Sequence, residues 1–147
     1  MGVQRDLQAR VGPGYTSNRL GGWKSSRAKF RFALDGGAIS TITPKINATI
    51  PANAILVAAF IDSTVAVTSL GSATVSVGLS AGSTGAAALL AATAKASLVT
   101  GAPIVGVPTP AVPVKTTAAG TITCTVAVAA LTAGEIEVTV FYVEASA

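Results

Sequence analysis

The sequence predicts an all-β fold: a β-sandwich of jelly-roll type, or a small barrel, with an extended basic N-terminal arm and at most one short helix. Three observations carry that prediction. The first is strict alternation at the C-terminal end. Ile122, Cys124, Val126 and Val128 alternate with Thr121, Thr123, Thr125 and Ala127. After Leu131-Thr132-Ala133-Gly134, Ile136, Val138, Val140 and Tyr142 alternate with Glu135, Glu137, Thr139, Phe141 and Val143. Two β-branched runs joined by a Gly-containing connection predict a β-hairpin with one face toward a core. Its other face begins acidic and ends on Phe141 and Val143, so that tip is expected to pack against another element. The second observation is a series of further short extended runs, separated by Gly, Pro, Ser and Asn. The third is composition: 50% of residues are hydrophobic and only 11% charged, against about 25–35% charged residues on an ordinary soluble surface. Much of the apolar content is Ala, so the side chains are small and suit close sheet packing and tight contact between subunits. Much of the surface is expected to be covered by other protein.

The elements follow in order from the arm. Ala28, Phe30, Phe32 and Leu34 alternate with Lys29, Arg31 and Ala33, predicting a strand ended by Asp35-Gly36-Gly37. Ile39, Thr41 and Thr43 extend into Pro44, and Ile46, Ala48 and Ile50 alternate before Pro51. The two prolines confine this stretch to sheet edges and bends. Asn53 to Val67 is the most apolar run and predicts a strand buried on both faces, or on one face against a neighbouring subunit. Ala73, Val75, Val77 and Leu79 predict a half-buried strand. Ala86 to Leu98, with Thr84 as cap, is the one helix candidate, since Leu90, Ala94 and Leu98 recur every four residues among alanines. Gly101 to Lys115 holds four of the seven prolines and predicts an extended connection, with a short strand at Val112 to Thr116.

Residues 1–26 read as an arm and 27–147 as the sandwich domain. Met1 to Arg31 holds seven of the ten basic residues against the single acid Asp6, a net +6, whereas the remainder carries −2. Gly12-Pro13-Gly14 and Gly21-Gly22 break any long element there. The arm is either a solvated tail or a segment that orders on an acidic partner, with Tyr15 and Trp23 as anchors. Its basic residues are spaced, not clustered, and no nucleic-acid module follows, which argues against direct nucleic-acid binding.

Chemistry is sparsely provided. The chain has no His and one Cys, Cys124, so general acid–base work, nucleophilic catalysis and metal ligation lack their usual groups. Glu135 and Glu137 sit one strand repeat apart, as any such pair does. The Gly-Ser-rich loop at Ser80 to Gly85 lacks the lysine of a phosphate loop. Cys124 reads as a small buried hydrophobe. These features predict no enzyme, no cofactor, no metal and no small-molecule substrate. No apolar run of about 20 residues spans a membrane: Ile46 to Ile61 is broken by Asn47, Thr49, Pro51 and Asn53. Met1 to Arg10 lacks the apolar stretch of a signal peptide.

Thr49-Ile50-Pro51-Ala52-Asn53 with the apolar strand after it resembles small proteins of the structural gene clusters of tailed phages. So do Gly71 to Gly78, Leu89 to Ala94, Leu131 to Ile136 and Val140 to Val143. The resemblance covers Thr49 to Val143 and is to capsid decoration (cement) proteins; head- and tail-fibre components share the pattern. It implies a homotrimer on the outer surface of the virion, at three-fold or quasi-three-fold positions, bridging neighbouring major capsid proteins, and made in the host cytoplasm. The basic N-terminus has no counterpart in that pattern. Its charge makes Arg5, Arg10, Tyr15, Arg19, Trp23, Lys24, Arg27, Lys29 and Arg31 the expected capsid-binding residues. A fibre or adaptor protein is one alternative. A carbohydrate-binding jelly-roll module is another, though exposed rings for sugar stacking are few.

Overall fold

The computed structural model describes residues 22–80, 89–106 and 114–144. Two antiparallel sheets face one another. The first has the order β3–β1–β11–β5–β8, with β9 also on β5. It is built from β1 (Lys24–Arg31), β3 (Ile46–Asn47), β5 (Ala54–Ser69), β8 (Ile104–Gly106), β9 (Val114–Lys115) and β11 (Leu131–Glu144). The second has the order β2–β10–β6–β7, with β4 also on β10. Its strands are β2 (Ser40–Ile42), β4 (Thr49–Ile50), β6 (Thr74–Leu79), β7 (Leu90–Ala94) and β10 (Gly120–Ala127). The all-β sandwich expected from the alternation is what forms.

Alternation places the core. Phe30, Leu56, Ile61, Ile136, Val138 and Val140 point inward from the first sheet, and Val75, Val77, Ile122, Cys124 and Val126 from the second. Each is essentially removed from water, worth about 1.5–3 kcal/mol for a large aliphatic or aromatic side chain. The two layers are stitched where the chain passes from β3 to β4. Asn47 donates from Nδ2 to the Ile122 carbonyl (2.6 Å) and accepts from the Ile122 N–H at Oδ1 (3.2 Å). An amide side chain thus stands in for a strand beside β10, between its pairing with β4 at Gly120–Thr121 and with β2 at Cys124–Val126. The turn into β5 is clamped in the same way. Thr116 Oγ1 accepts from the Ala54 N–H (2.9 Å) and donates to the Pro51 carbonyl (2.8 Å), while Asn53 takes the left-handed conformation (φ 61°) that Asn tolerates best among non-glycine residues.

Three expectations are corrected. The C-terminal hairpin does not form. β10 pairs with β6 and β2, β11 pairs with β1 and β5, and the two strands lie in opposite sheets. The connection is an arch over Val128–Ala130, and the expected turn residues Leu131–Gly134 already belong to β11. Gly134 sits among the register shifts that open β11 (φ 138°), where an added Cβ would lie 3.0 Å from Val67 Cα. It serves an irregular strand and not a hairpin. The helix expected over Ala86–Leu98 is also absent from the described part of that segment. Leu90–Ala94 is a strand paired with β6, and Lys95–Ser97 is a single 3-10 turn. Finally, the strand begun at Ala28 stops at Arg31, and Phe32–Asp35 makes one helical turn. The Asp35 carboxylate holds that turn by accepting the Arg31 N–H (2.8 Å) and the Lys45 N–H (2.9 Å). The prolines act as expected: β2, β3 and β4 are two or three residues long and lie on sheet edges.

Candidate functional site

The residue types expected to make contacts converge on one surface, the outer face of the first sheet. Register sets its layout. Ser25 pairs with Phe141 and Phe141 with Ala58; Arg27 pairs with Thr139, Thr139 with Phe60, and Phe60 with Val105. Further along, Lys29 pairs with Glu137 and Glu137 with Asp62, and Arg31 pairs with Glu135. One end of the face is therefore aromatic and aliphatic, and the other is charged.

At the apolar end three rings form a row. Phe141 meets Trp23 at 6.5 Å between centroids and 60°, and Phe60 at 5.7 Å and 86°. The second is an edge-to-face pairing, the kind worth about 0.5–1.5 kcal/mol beyond buried area. The tip of β11 thus finds the packing its sequence implied. Yet Trp23 stays 68% exposed, Phe60 42% and Val105 60%. Together they leave large apolar side chains in water on one stretch of the face, the kind of exposure that marks an interaction surface when it is contiguous.

The charged end is internally matched. Lys29 Nζ lies 3.0 Å from Glu135, Arg31 Nε 3.7 Å from Glu135, and Arg27 4.0 Å from Glu137. At the strand end Lys24 Nζ lies 2.6 Å from Glu144. The hydrogen bond from Glu144 raises the Lys24 pKa against a smaller opposing effect of desolvation. Such exposed pairs are screened by water and add little to stability. What they do is remove net charge from the face. Asp62 is the exception, because its Oδ1 is buried without a hydrogen-bond partner.

Of the residues expected to bind a partner, Trp23, Lys24, Arg27, Lys29 and Arg31 lie in or just before β1. Arg5, Arg10, Tyr15 and Arg19 lie outside the described residues. Lys24 to Ser26, expected in the arm, belong to the sheet. The face also includes residues that sequence reasoning did not single out as contacts: Phe60, Val105, Thr139 and Asp62. Phe60 carried a signal, being the one large ring in an otherwise aliphatic strand.

The other face of the second sheet is only partly open to solvent. Thr41, Thr74 and Thr125 are exposed or half-buried on it, and the Thr41 and Thr125 hydroxyls share a 2.9 Å hydrogen bond, whereas Ser76, Gly78 and Thr123 are buried. Cys124 points inward, free and buried, and burial pushes its thiol up to about 12. Among the described residues no group of three or more His, Cys, Asp or Glu side chains is placed to hold a metal ion, and no helix is long and apolar enough to cross a membrane.

No protein-family model matches the chain, and no curated protein matches it significantly. Its fold does match solved structures. A chain of the cyanophage Pam1 capsid asymmetric unit superposes with TM-score 0.63 at 19% identity, over 85% of this chain and 86% of that one. A chain from the capsid of Ralstonia phage GP4 gives 0.56 at 18%, over 84% and 86%. A chain from the acid-stable capsid of Helicobacter pylori bacteriophage KHP30 gives 0.59 at 16%, over 84% and 89%. At these identities the likeness is one of fold, and it extends over nearly the whole of each chain.

Proposed function

We propose that this chain is a structural protein of a phage virion: a capsid decoration, or cement, protein with no catalytic role. In this reading it sits as a homotrimer on the outer surface of the head and ties neighbouring major capsid proteins together. The observation that carries the proposal is the near end-to-end fold match with chains of three phage capsids. The outer face of the first sheet supports it independently. An apolar centre of Trp23, Phe60, Phe141 and Val105, bordered by Arg27, Thr139, Lys29 and Glu137, has the composition of a protein–protein interface: aromatic in the middle, polar around it.

The mechanism is mechanical and additive. Packed genome pushes shell subunits apart, and a trimer engaging several subunits makes contacts that must all fail together. The face seats on the shell through its rings. The arm residues Arg5, Arg10, Tyr15 and Arg19 reach beyond it to acidic shell surface, and their charge speeds encounter. Arg27, Lys29 and Arg31 already have glutamate partners within the sheet, so their part is to keep the border of the face neutral and hydrated.

The test is reconstitution on purified, undecorated heads. The full chain should bind saturably, at a copy number commensurate with the major shell protein, and should raise the temperature at which heads rupture. Removing residues 1–21, which leaves Trp23 and β1 intact, should abolish binding while the trimer persists. Attachment of only a few copies at one vertex would instead indicate a fibre or adaptor protein. Glycan binding without head binding would indicate a lectin-like module.

A further inference from the structure

The open edges of the two sheets are not equally protected. An edge strand offers unpaired N–H and C=O groups to any extended chain, and shortness, proline and charge are the usual defences. β3, β4 and β9 are two residues long, and β2 and β8 three. Each also lies beside a proline: Pro44 separates β2 from β3, Pro51 follows β4, and Pro103 and Pro113 precede β8 and β9. β7 has neither defence. It runs five residues, Leu90-Ala91-Ala92-Thr93-Ala94, with no proline and no charge. Among the described residues no strand lies beyond it, and Ala91, Ala92 and Ala94 are exposed. Charge nearby does not compensate, since the five strands of the second sheet contain no Asp, Glu, Lys or Arg.

What the composition omits, geometry supplies at three points. At its start β7 is closed against the other sheet. Gly106 of β8 comes so near that an added Cβ would collide with the Leu89 carbonyl oxygen and lie 2.8 Å from Ile61 Cδ1. In its middle the ladder with β6 shifts register. Val75 pairs with Thr93 and Val77 with Leu90, so Ala91 and Ala92 together oppose Ser76. That is a β-bulge, which bends the strand and leaves its edge uneven. The Thr93 hydroxyl donates to the Ala91 carbonyl within the bulge (2.9 Å), so that acceptor is already engaged. At its end Lys95 fixes a charge beside the edge. Its N–H extends the ladder to the Ala73 carbonyl (3.0 Å), and its Nζ donates to the Ser69 carbonyl. A 3-10 turn over Lys95–Ser97 then leads the chain away.

We propose that β7 is a guarded edge, at which the Thr93 bulge and the tethered Lys95 prevent a second copy of this chain from adding its own β7. Two such strands, antiparallel across a two-fold axis, would join the second sheets of two chains into one. Nothing in the side chains of Leu90 to Ala94 opposes that pairing, because small uncharged groups meet their own copies without repulsion. The backbone opposes it. An incoming strand needs evenly spaced donors and acceptors along the edge. Here two residues occupy one ladder position, one carbonyl is engaged from within, and a charge stands at the exit. The Ala94 N–H remains the clearest free donor: the Lys95 N–H turns toward β6, and donors alternate in direction along a strand. This protection holds whatever shell or partner the chain meets.

Removing the guard from the full chain tests it. Thr93→Val keeps the β-branched shape and loses the hydroxyl, and Lys95→Met keeps the stem and loses the charge. In sedimentation velocity, T93V/K95M should form species larger than the parent's at a concentration at least tenfold lower. Amide hydrogen exchange at Ala94 should slow at least tenfold in those species. Adding Ala92→Lys, at an exposed position of the same strand, supplies an ordinary charged edge and should return both readings to the parent's. Ile39→Lys, the same charge added beside β2 at the far edge of the sheet, should not. A T93V/K95M chain that sediments like the parent overturns the proposal. So does association that A92K leaves in place or that I39K reverses equally, since either would trace it to lost stability or general solubility. Slow Ala94 exchange in the associated parent would show the edge already paired and would overturn it as well.

Discussion

The two outer faces of this sandwich are made by the same kind of strand and present opposite chemistry. The first sheet shows rings and ion-paired columns, from Trp23 and Phe60 to Lys29 and Glu135. The second shows the hydroxyls of Thr41, Thr74 and Thr125 and is buried at Ser76, Gly78 and Thr123. The inner faces, by contrast, are alike, both lined with Val, Ile, Leu and other apolar groups. The core needs only apolar volume and shape, so either sheet can supply it. The outer faces are free of that demand, and so they are free to diverge.

The largest way to break the comparison is to separate the layers that hold the two faces apart. Asn47→Ala leaves the Ile122 N–H and carbonyl without their side-chain partner, at about 1–3 kcal/mol per unsatisfied buried group. We expect a loss of about 3 kcal/mol in urea-induced unfolding. A loss below 0.5 kcal/mol would mean that the stitch is incidental. Next comes the contrast between the faces themselves. Phe60→Thr, which keeps a β-favouring residue, should weaken head binding about 100-fold, the scale of an aromatic hot spot, with Tm shifted by only a few degrees. Thr125→Lys on the opposite face should leave head binding within twofold. Equal loss of head binding from both substitutions would erase the distinction.

The last test concerns the shared interior and shows itself only at high pH. The Cys124 thiol is pushed up to about 12 by burial, while an exposed thiol ionises near 8.5. Because the folded value is the higher one, the stabilisation is fully present only below about pH 8.5. It is lost as pH rises toward 12, at a slope of up to about 1.4 kcal/mol per pH unit. Cys124→Ala should flatten that part of the stability–pH curve relative to the parent. Parallel curves would show that the thiol does not contribute.

The strands were largely legible in the sequence, because alternation of Ile136, Val138 and Val140 or of Val75 and Val77 states which side chains are buried. Partnership was not. Alternation places a strand's apolar face inward whether its neighbour in sequence lies beside it or across the core, so β10 and β11 read as a hairpin when they form an arch. Leu90, Ala94 and Leu98 misled for a related reason. Ala and Thr on an edge strand give no period of two, and four-residue spacing then passes for a helix. The candidate site was legible only at its Trp23 end. Trp23 lies just before β1, while Phe60 and Phe141 lie in β5 and β11, and only pairing register puts the three rings in a row. The basic residues of β1 were visible as charge, but their glutamate partners more than 100 positions away were not.

The way β1 is rooted has a mechanical consequence. All eight of its residues, Lys24 to Arg31, pair in unbroken register with β11, and the chain enters at Trp23, at one end of that ladder. A pull along the strand axis at Trp23 loads every rung at once, in shear, and no single rung can yield first. The same pull directed sideways would peel the rungs in sequence at far lower force. A tether attached there is strong in one direction and weak in another, so its hold depends on the angle of the load.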